Sequence, residues 1–306
     1  MISFRPAAAA VSAGAVLCAA LLCSGCRTWS AREERAAEAF NQANSLREQG
    51  QNEEAVELYQ KALQAEPHYH AASFNLALLL TELGEGEQAL EILEELRSED
   101  PENLTILRAM AWTARQAGRT EQAEEYYLEA LNIFRADTLA LKGLAELYEQ
   151  LGRLDEAVAR RRFLLKIEKN AENRLALADS LRSSDQNTEA LAIYRRVLVG
   201  NSDNAAALEG CAYAAEKEGF PEEAVSCFQR LAELGAEGSE EFQWHLGRIL
   251  LTQTGQYQGG LSAVKAALEG GFSDEDAFAE LKEAAPADVL ADLKRILSET
   301  AAPAKR

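Results

Sequence analysis

The chain has 306 residues, of which 47% are hydrophobic and 26% are charged, a composition typical of folded globular proteins and not of disordered or fibrous ones. It carries 31 Lys and Arg against 50 Asp and Glu, a formal net charge of −19, and this acidic excess opposes binding to the phosphate backbone of nucleic acids. Ala, Glu and Leu are abundant and only 7% of the residues are aromatic, which favours helices over a β-sandwich or barrel.

The first 25 residues have the pattern of a secretion signal. Arg5 precedes an apolar stretch over residues 7–22, which is short for a membrane-spanning helix and typical of a signal-peptide core. The sequence Cys23-Ser24-Gly25-Cys26 then resembles the lipobox of bacterial lipoproteins, although Cys23 stands where Leu is usual. We therefore predict a lipoprotein signal peptide over residues 1–25 and a lipidated Cys26; an uncleaved anchor or ordinary secretion is the alternative.

The remainder of the chain repeats with a period of about 34 residues, a spacing characteristic of stacked helical hairpins. Small residues recur at two positions of the repeat and would let two antiparallel helices approach closely. The first position holds Ala43, Ala77, Ala111, Ala145, Ala178, Ala212 and Gly247. The second holds Ala55, Ala89, Ala123, Ala157, Ala190 and Ala224. Larger residues fill a third position, at Tyr59, Leu93, Tyr127, Tyr194, Phe228 and Val264, with Arg161 as the exception.

A turn position lies between the two small-residue positions. It holds Gly50, Gly84, Gly118, Gly152, Asp185, Gly219 and, one place late, Gly255. Gly adopts the left-handed conformation without strain, and Asp tolerates it better than most residues, so the pattern predicts a left-handed residue at the end of each first helix. Pro67 and Pro101 are expected to end the second helices of the first two copies.

These residues resemble the tetratricopeptide repeat (TPR), with copies beginning near residues 36, 70, 104, 138, 171, 205 and 240. The seventh copy is degraded, with Gly259 and Gly260 where Ala is expected. The resemblance implies an all-α, right-handed α-solenoid over residues 36–272, in which neighbouring repeats stabilise one another.

Both ends of the array have cap signals. Residues 26–35 form a predicted linker and helix start, with Ser30 and Glu33 as a capping box. Residues 273–300 are predicted to form capping helices, with Ser273 and Asp276 as a second capping box and Pro286 in the first turn of the last helix. Residues 301–306 are expected to be a disordered tail.

The family resemblance also implies where a partner binds, because first helices line the concave groove of such proteins. The preferred surface lies in the first three repeats, where aromatic and Arg side chains of the type enriched in binding hot spots occur. The predicted partner-binding residues are Phe40, Asn44, Arg47, Phe74, Asn75, Leu78, Arg108, Trp112 and Arg115. The alternative is that Phe40, Phe74 and Leu78 only pack between helices.

Two other features of the groove bear on its partner. Asn44 and Asn75 match the Asn positions of the family's carboxylate clamp, but Phe40, Thr105 and Ala109 replace its bases, so the clamp is incomplete. Later repeats contribute further groove residues. These are Lys142, Arg182, Tyr213, Lys217, Trp244 and Arg248, among acidic residues.

Weaker candidates concern metals and thiols. His68 and His70, with Glu66 nearby, are interpreted as surface residues and not as metal ligands. Cys211 is expected to face the core and Cys227 is not, which favours two separate thiols over a disulfide, although a bridge remains possible.

The absence of catalytic, phosphate-binding and metalloprotease motifs predicts a protein that is not an enzyme and has no cofactor or small-molecule substrate. We expect a scaffold that is tethered to the membrane by its lipid and holds a peptide or protein segment in its groove. Its expected place is the bacterial envelope, at the outer membrane facing the periplasm, in an assembly or transport complex. The alternative is a surface-exposed adhesin that binds host or extracellular components.

Overall fold

The computed structural model describes residues 31–300, and the regular structure of this part is entirely helical. The helices of this range are α1 (Ala31–Glu48), α2 (Asn52–Ala65), α3 (His70–Glu82), α4 (Gly86–Glu99), α5 (Leu104–Gln116), α6 (Thr120–Ile133), α7 (Thr138–Gln150), α8 (Leu154–Ile167), α9 (Ala171–Ser183), α10 (Asn187–Gly200), α11 (Ala205–Lys217), α12 (Pro221–Leu234), α13 (Ser239–Thr252), α14 (Tyr257–Glu269), α15 (Glu275–Ala284) and α16 (Ala287–Thr300). Odd-numbered helices up to α13 are the first helices of the repeats. The signal peptide, Cys26, Ser30 and residues 301–306 lie outside the described range.

Left-handed residues end the first helices, as the sequence predicts. The Gly residues at the turn position have φ between +69° and +84°. In the fifth copy Asp185 has φ +62°. It is the only non-glycine residue with a positive φ among residues 31–300. The side-chain amide of Asn187 donates to its carboxylate at 3.3 Å, so a local hydrogen bond holds this strained turn.

Several first helices begin with an Asn or Asp cap that precedes the helix. Asn103, Asp137 and Asn204 each accept a hydrogen bond from a backbone N–H in the first turn of the following helix. At the C-terminal cap the predicted Ser273 box is wrong: Asp274 is the capping residue and accepts from the N–H of Ala277 at 2.9 Å. Asp274, one residue after Ser273, therefore caps the first turn of α15 in place of the predicted serine hydroxyl.

The chain divides into two compact units between Ala72 and Ser73, inside α3. In the described part of the first unit, α1 and α2 pack through Ala36, Ala43, Ala55, Tyr59 and Ala62.

In the second unit each helix from α4 to α13 packs on the next, α16 packs on α14 and α15, and first helices also contact one another, α5 with α7 and α9 with α11. One core cluster runs from Val158 to Ala263, and another runs from Trp244 to Leu297. The small-residue positions of this unit are fully buried, which allows the close helix approach that the sequence predicts.

These features confirm the predicted fold class, an α-solenoid of helix hairpins with C-terminal capping helices. Within residues 31–300 no helix is both long enough and apolar enough to span a lipid bilayer.

Candidate binding surface

The first helices of the second unit are joined by ion pairs between neighbours. Arg115 of α5 donates to Glu146 of α7 at 2.8 Å, and Lys142 of α7 lies 2.6 Å from Glu172 of α9. Further along, Arg248 of α13 pairs with Glu216 of α11. We call this series the charge ladder. It neutralises Arg115, Lys142 and Arg248 within the protein and restrains their side chains.

Arg108 of α5 is held in place by its own surroundings. Its Nε donates to the carbonyl of Leu104 at 2.9 Å, and one terminal nitrogen donates to Thr105 at 3.1 Å. The other terminal nitrogen lies 3.4 Å from the buried carboxylate of Asp137. One turn later Trp112 is partly exposed. The predicted pair therefore presents a rigid guanidinium next to an accessible indole.

The other predicted residues fall in both units. In the second unit Phe74, Asn75 and Leu78 of α3 are partly exposed. Phe74 and Leu78 occupy the repeat positions of Arg108 and Trp112 of α5, and Asn75 occupies that of Ala109.

In the first unit the predicted residues contribute to packing. The Phe40 ring lies 5.9 Å from that of Tyr59 and 5.1 Å from that of Tyr69, and the hydroxyl of Tyr59 donates to Asn44 at 2.6 Å. Arg47 is partly exposed in the last turn of α1. Phe40 thus packs on Tyr59 of the second helix and on Tyr69.

Buried side chains of the second helices reach the groove with their polar ends. The hydroxyl of Tyr194 donates to Asp179 at 2.6 Å, and burial raises the pKa of this phenol. Burial also raises the pKa of Tyr127 to about 12, beside Arg115 and Glu146. The hydroxyl groups of these second-helix tyrosines therefore lie beside the charged side chains of the first helices.

Arg161, the exception in the repeat pattern, replaces such a tyrosine. Its side chain is 7% exposed and donates two hydrogen bonds of 3.1 Å to the carboxylate of Glu149. Ser180 donates to the same carboxylate at 2.6 Å. Sequence reasoning identified the exception but not its partners, because these lie in another helix and in the following repeat.

A cleft of about 470 Å³ opens between α9, α11 and α13. Its lining residues are Arg182, Asp185, Asn187, Tyr213, Glu216, Lys217, Glu241, His245 and Arg248. The Arg182 guanidinium lies 6.0 Å from the Tyr213 ring centre, and the Tyr213 ring meets that of His245 edge to face at 5.1 Å. The cleft therefore combines an aromatic wall with cationic side chains.

Some charged side chains of this cleft have an oppositely charged or hydrogen-bonding partner, and others form no ion pair. Glu216 neutralises Arg248, and Glu241 accepts from the hydroxyl of Tyr213 at 3.4 Å. Within the described range no carboxylate pairs with Arg182 or Lys217, and Nε of Arg182 is buried without a hydrogen-bond partner. These two cations therefore have no carboxylate counter-ion within the described range.

His245 closes one side of the cleft and stacks on the ring of Phe228 at 5.5 Å. Burial, and secondarily the Arg248 cation, hold its pKa below the ordinary histidine value. The imidazole is therefore neutral at pH 7, so that it adds an aromatic surface and not a third available charge.

The sequence placed Trp244 in the groove, and this was wrong. Trp244 is 3% exposed, stacks on Phe272 at 4.7 Å and contacts Phe278 at 5.2 Å. The last hairpin has no following repeat, so α15 and α16 cover its apolar face and enclose the indole.

The remaining candidates lie away from this surface. His68 and His70 are exposed in the first unit, with their rings edge to face at 6.5 Å. The sequence did not clearly place Cys227 in the core; in the structure it is 7% exposed and belongs to the same core cluster as Cys211. Both thiols are free.

Repeated helix pairs, left-handed turn residues and an open row of polar first helices define an α-solenoid of the interaction type. Tetratricopeptide repeat models match residues 46–113 and, in a second model, residues 108–160, 175–238 and 212–288. The second model alone spans more than half of the chain, so the chain belongs to the tetratricopeptide repeat family. Such proteins are generally non-catalytic scaffolds, and neither matching model is that of an enzyme.

Solved structures share this fold. A TPR protein from Parabacteroides merdae is 20% identical with a TM-score of 0.58, over 87% of this chain and 99% of that one. PilF of Pseudomonas aeruginosa is 21% identical with a TM-score of 0.55, over 70% and 99%. YrrB, described as a TPR protein with an unusual peptide-binding site, is 19% identical with a TM-score of 0.55, over 62% and 97%. No curated protein matches the chain. At these identities the similarity establishes the fold.

Proposed function

We propose that this protein is a non-catalytic scaffold that is anchored to the envelope membrane by a lipid on Cys26 and holds a segment of a partner protein on its first helices. The observation that carries the binding proposal is the unequal charge balance of the surface. Arg115, Lys142 and Arg248 belong to the charge ladder, whereas Arg182 and Lys217, in the cleft that Tyr213 lines, form no ion pair with a carboxylate of the described range.

This surface suits a peptide better than a small substrate. Trp112 and Tyr213 offer large aromatic areas, and the available cations can bind carboxylates or backbone carbonyls of an extended chain. An open row of helices provides little desolvation, which general acid or base catalysis by the ladder carboxylates would need. The exposed aromatic rings and the cations of this surface therefore favour peptide binding over catalysis.

The binding proposal is tested by photo-crosslinking with an unnatural amino acid at position 112 or 213 of the full chain. Both positions should give the same discrete adduct in cells. Position 125, exposed on the second helix α6, is the matched control and should give none. Adducts of equal yield at all three positions would contradict binding on the first helices.

Two pairs of substitutions address the same surface. Replacing Arg108 and Trp112 together with Ala should reduce the adduct at position 213 with helicity unchanged. Replacing the exposed α6 residues Gln122 and Glu125 with Ala should leave the adduct as it was. Loss of helicity in the first pair would instead assign Arg108 and Trp112 to the core.

The anchor rests on the motif around Cys26, since the two acyl chains of a diacylated residue provide the membrane affinity that the acidic chain lacks. Cys26→Ala should move the protein from the membrane to the soluble fraction. Cys23→Ala, in the same motif, should remain with the membrane. Equal partitioning of the two variants would remove the lipid-anchor proposal and leave the binding surface untouched.

We place the scaffold at the outer membrane, facing the periplasm, in an assembly or transport complex. Protease added to intact cells should leave the repeats uncut and should digest them after permeabilisation. Digestion in intact cells would overturn this location and favour the adhesin.

A further inference from the structure

A second cleft, of about 760 Å³, lies away from the binding surface, and two cysteines form part of its wall. Cys211 comes from α11 and Cys227 from α12, the two antiparallel helices of one repeat. Both side chains are buried in the same core cluster and yet both line the open cleft. The two cysteines therefore lie in one packed region of the repeat, on the wall of one cleft.

Polar neighbours give the two thiols different properties. Sγ of Cys211 lies 3.7 Å from the carboxylate of Glu223, and Arg195 of α10 donates to the same carboxylate at 2.8 Å. A hydrogen bond from Cys211 lowers the pKa of Cys227, and that same bond, with burial, raises the pKa of Cys211. Cys227 is therefore the better nucleophile of the pair, since the thiolate is the reactive form.

We propose that Cys211 and Cys227 are a dithiol site that is oxidised to an intramolecular disulfide by exchange with a small disulfide donor. The site is independent of the proposed peptide binding, because its residues face the other cleft.

The exchange balances in two steps. The Cys227 thiolate attacks one sulfur of the donor, the donor S–S bond breaks, and one donor thiolate leaves and takes up a proton. Cys211 then loses its proton to solvent and attacks Sγ of Cys227, so that the Cys211 to Cys227 bond forms and the second donor thiol leaves. Two protein thiols are oxidised and one donor disulfide is reduced to two thiols.

The test uses the full chain and oxidised glutathione as the donor, followed by alkylation of free thiols and digestion with trypsin. Trypsin separates the two cysteines, since Cys211 lies in the peptide of residues 197–217 and Cys227 in that of residues 218–230, and neither peptide contains another cysteine. We expect the two peptides to be recovered as one cross-linked species that dithiothreitol resolves. Recovery of both peptides as alkylated, or each bound to glutathione, would overturn the proposal.

Single substitutions test the order of the steps. Cys211→Ser should leave Cys227 trapped as a persistent mixed disulfide with glutathione, because no second thiol can displace it. Cys227→Ser should leave Cys211 mostly alkylated. Equal glutathione adducts on the two variants would overturn the assignment of Cys227 as the attacking thiol, and circular dichroism checks that both variants remain helical.

The disulfide should also change the stability of the protein. The cross-link closes a loop between two antiparallel helices and restricts the unfolded chain, so the oxidised protein should show a higher Tm than the reduced one. The Cys211→Ser variant should show no such redox-dependent shift. A wild-type Tm that is lower after oxidation would mean that the bridge strains the native hairpin and would overturn the site.

Discussion

The ring of Tyr194 lies directly over the backbone of Gly210 in the next repeat. A Cβ atom at position 210 would lie 2.2 Å from Cζ of that tyrosine. Tyr194 is fully buried and its hydroxyl is fixed to Asp179, so the ring has little freedom to move aside. Tyr127 and Gly143 repeat the arrangement at 2.4 Å. The close approach of these two tyrosine rings thus requires glycine at positions 143 and 210.

Gly210→Ala is expected to destabilise the protein by about 1–3 kcal/mol, because overpacking outweighs the better helix propensity of Ala. Urea unfolding followed by circular dichroism measures the change. Gly200→Ala is the matched control, since a Cβ at position 200 meets nothing within 4 Å, and it should not lower the stability. Similar losses for both variants would show that Gly210 has no special packing role.

Arg161→Met should cost about 1–3 kcal/mol of the free energy of unfolding. The substitution keeps most of the side-chain volume but leaves the Glu149 carboxylate with one donor, Ser180. The neighbouring Arg162→Met breaks an exposed ion pair with Glu189 and should change the stability by less than about 1 kcal/mol. If both variants unfold at the same urea concentration, the buried ion pair of Arg161 and Glu149 stabilises the protein no more than the exposed pair of Arg162 and Glu189.

His245 should make the stability depend on pH. Its pKa is lowered in the folded state, so below the ordinary value of 6.5 the unfolded chain binds more protons and stability falls as the pH decreases. The groups that face it are Arg248, Glu216, Glu241 and Tyr213.

His245→Phe keeps the stacking on Phe228 and removes the titrating group. The wild type should therefore lose more stability than this variant between pH 7.5 and pH 5.5, as measured by urea unfolding at both values. Parallel losses would assign the acid sensitivity to other groups.

Trp244→Ala should cost about 3–5 kcal/mol, because it removes the centre of the aromatic cluster under α15 and α16. Hydrogen exchange should show the earliest loss of protection in these two helices. Trp112→Ala, which alters a partly exposed indole, is the control and should have a much smaller effect. A larger loss of stability for Trp112→Ala than for Trp244→Ala would contradict the assignment of Trp244 to the core and of Trp112 to the surface.

The positions of the helix pairs could be predicted because the signals are local. Gly84 and its equivalents set the end of a first helix through the backbone conformation of one residue. Ala residues at fixed spacing mark the close helix contact, and the period of the repeat follows by counting. The same local reasoning identified Arg161 as an exception and missed the cap of α15 by one residue.

The partners of the side chains needed the tertiary structure. Arg115 meets Glu146, and Ser180 meets Glu149, only because successive first helices lie side by side with a particular rotation. Trp244 lies in the core because the capping helices cover it, and Cys227 is buried in the same core cluster as Cys211. The sequence by itself therefore determined the repeat, its turns and its fold class, which depend on short-range backbone preferences. Which bases remain available for a partner, and which thiols meet, depend on contacts between helices far apart in the chain, and only the packed structure decided them.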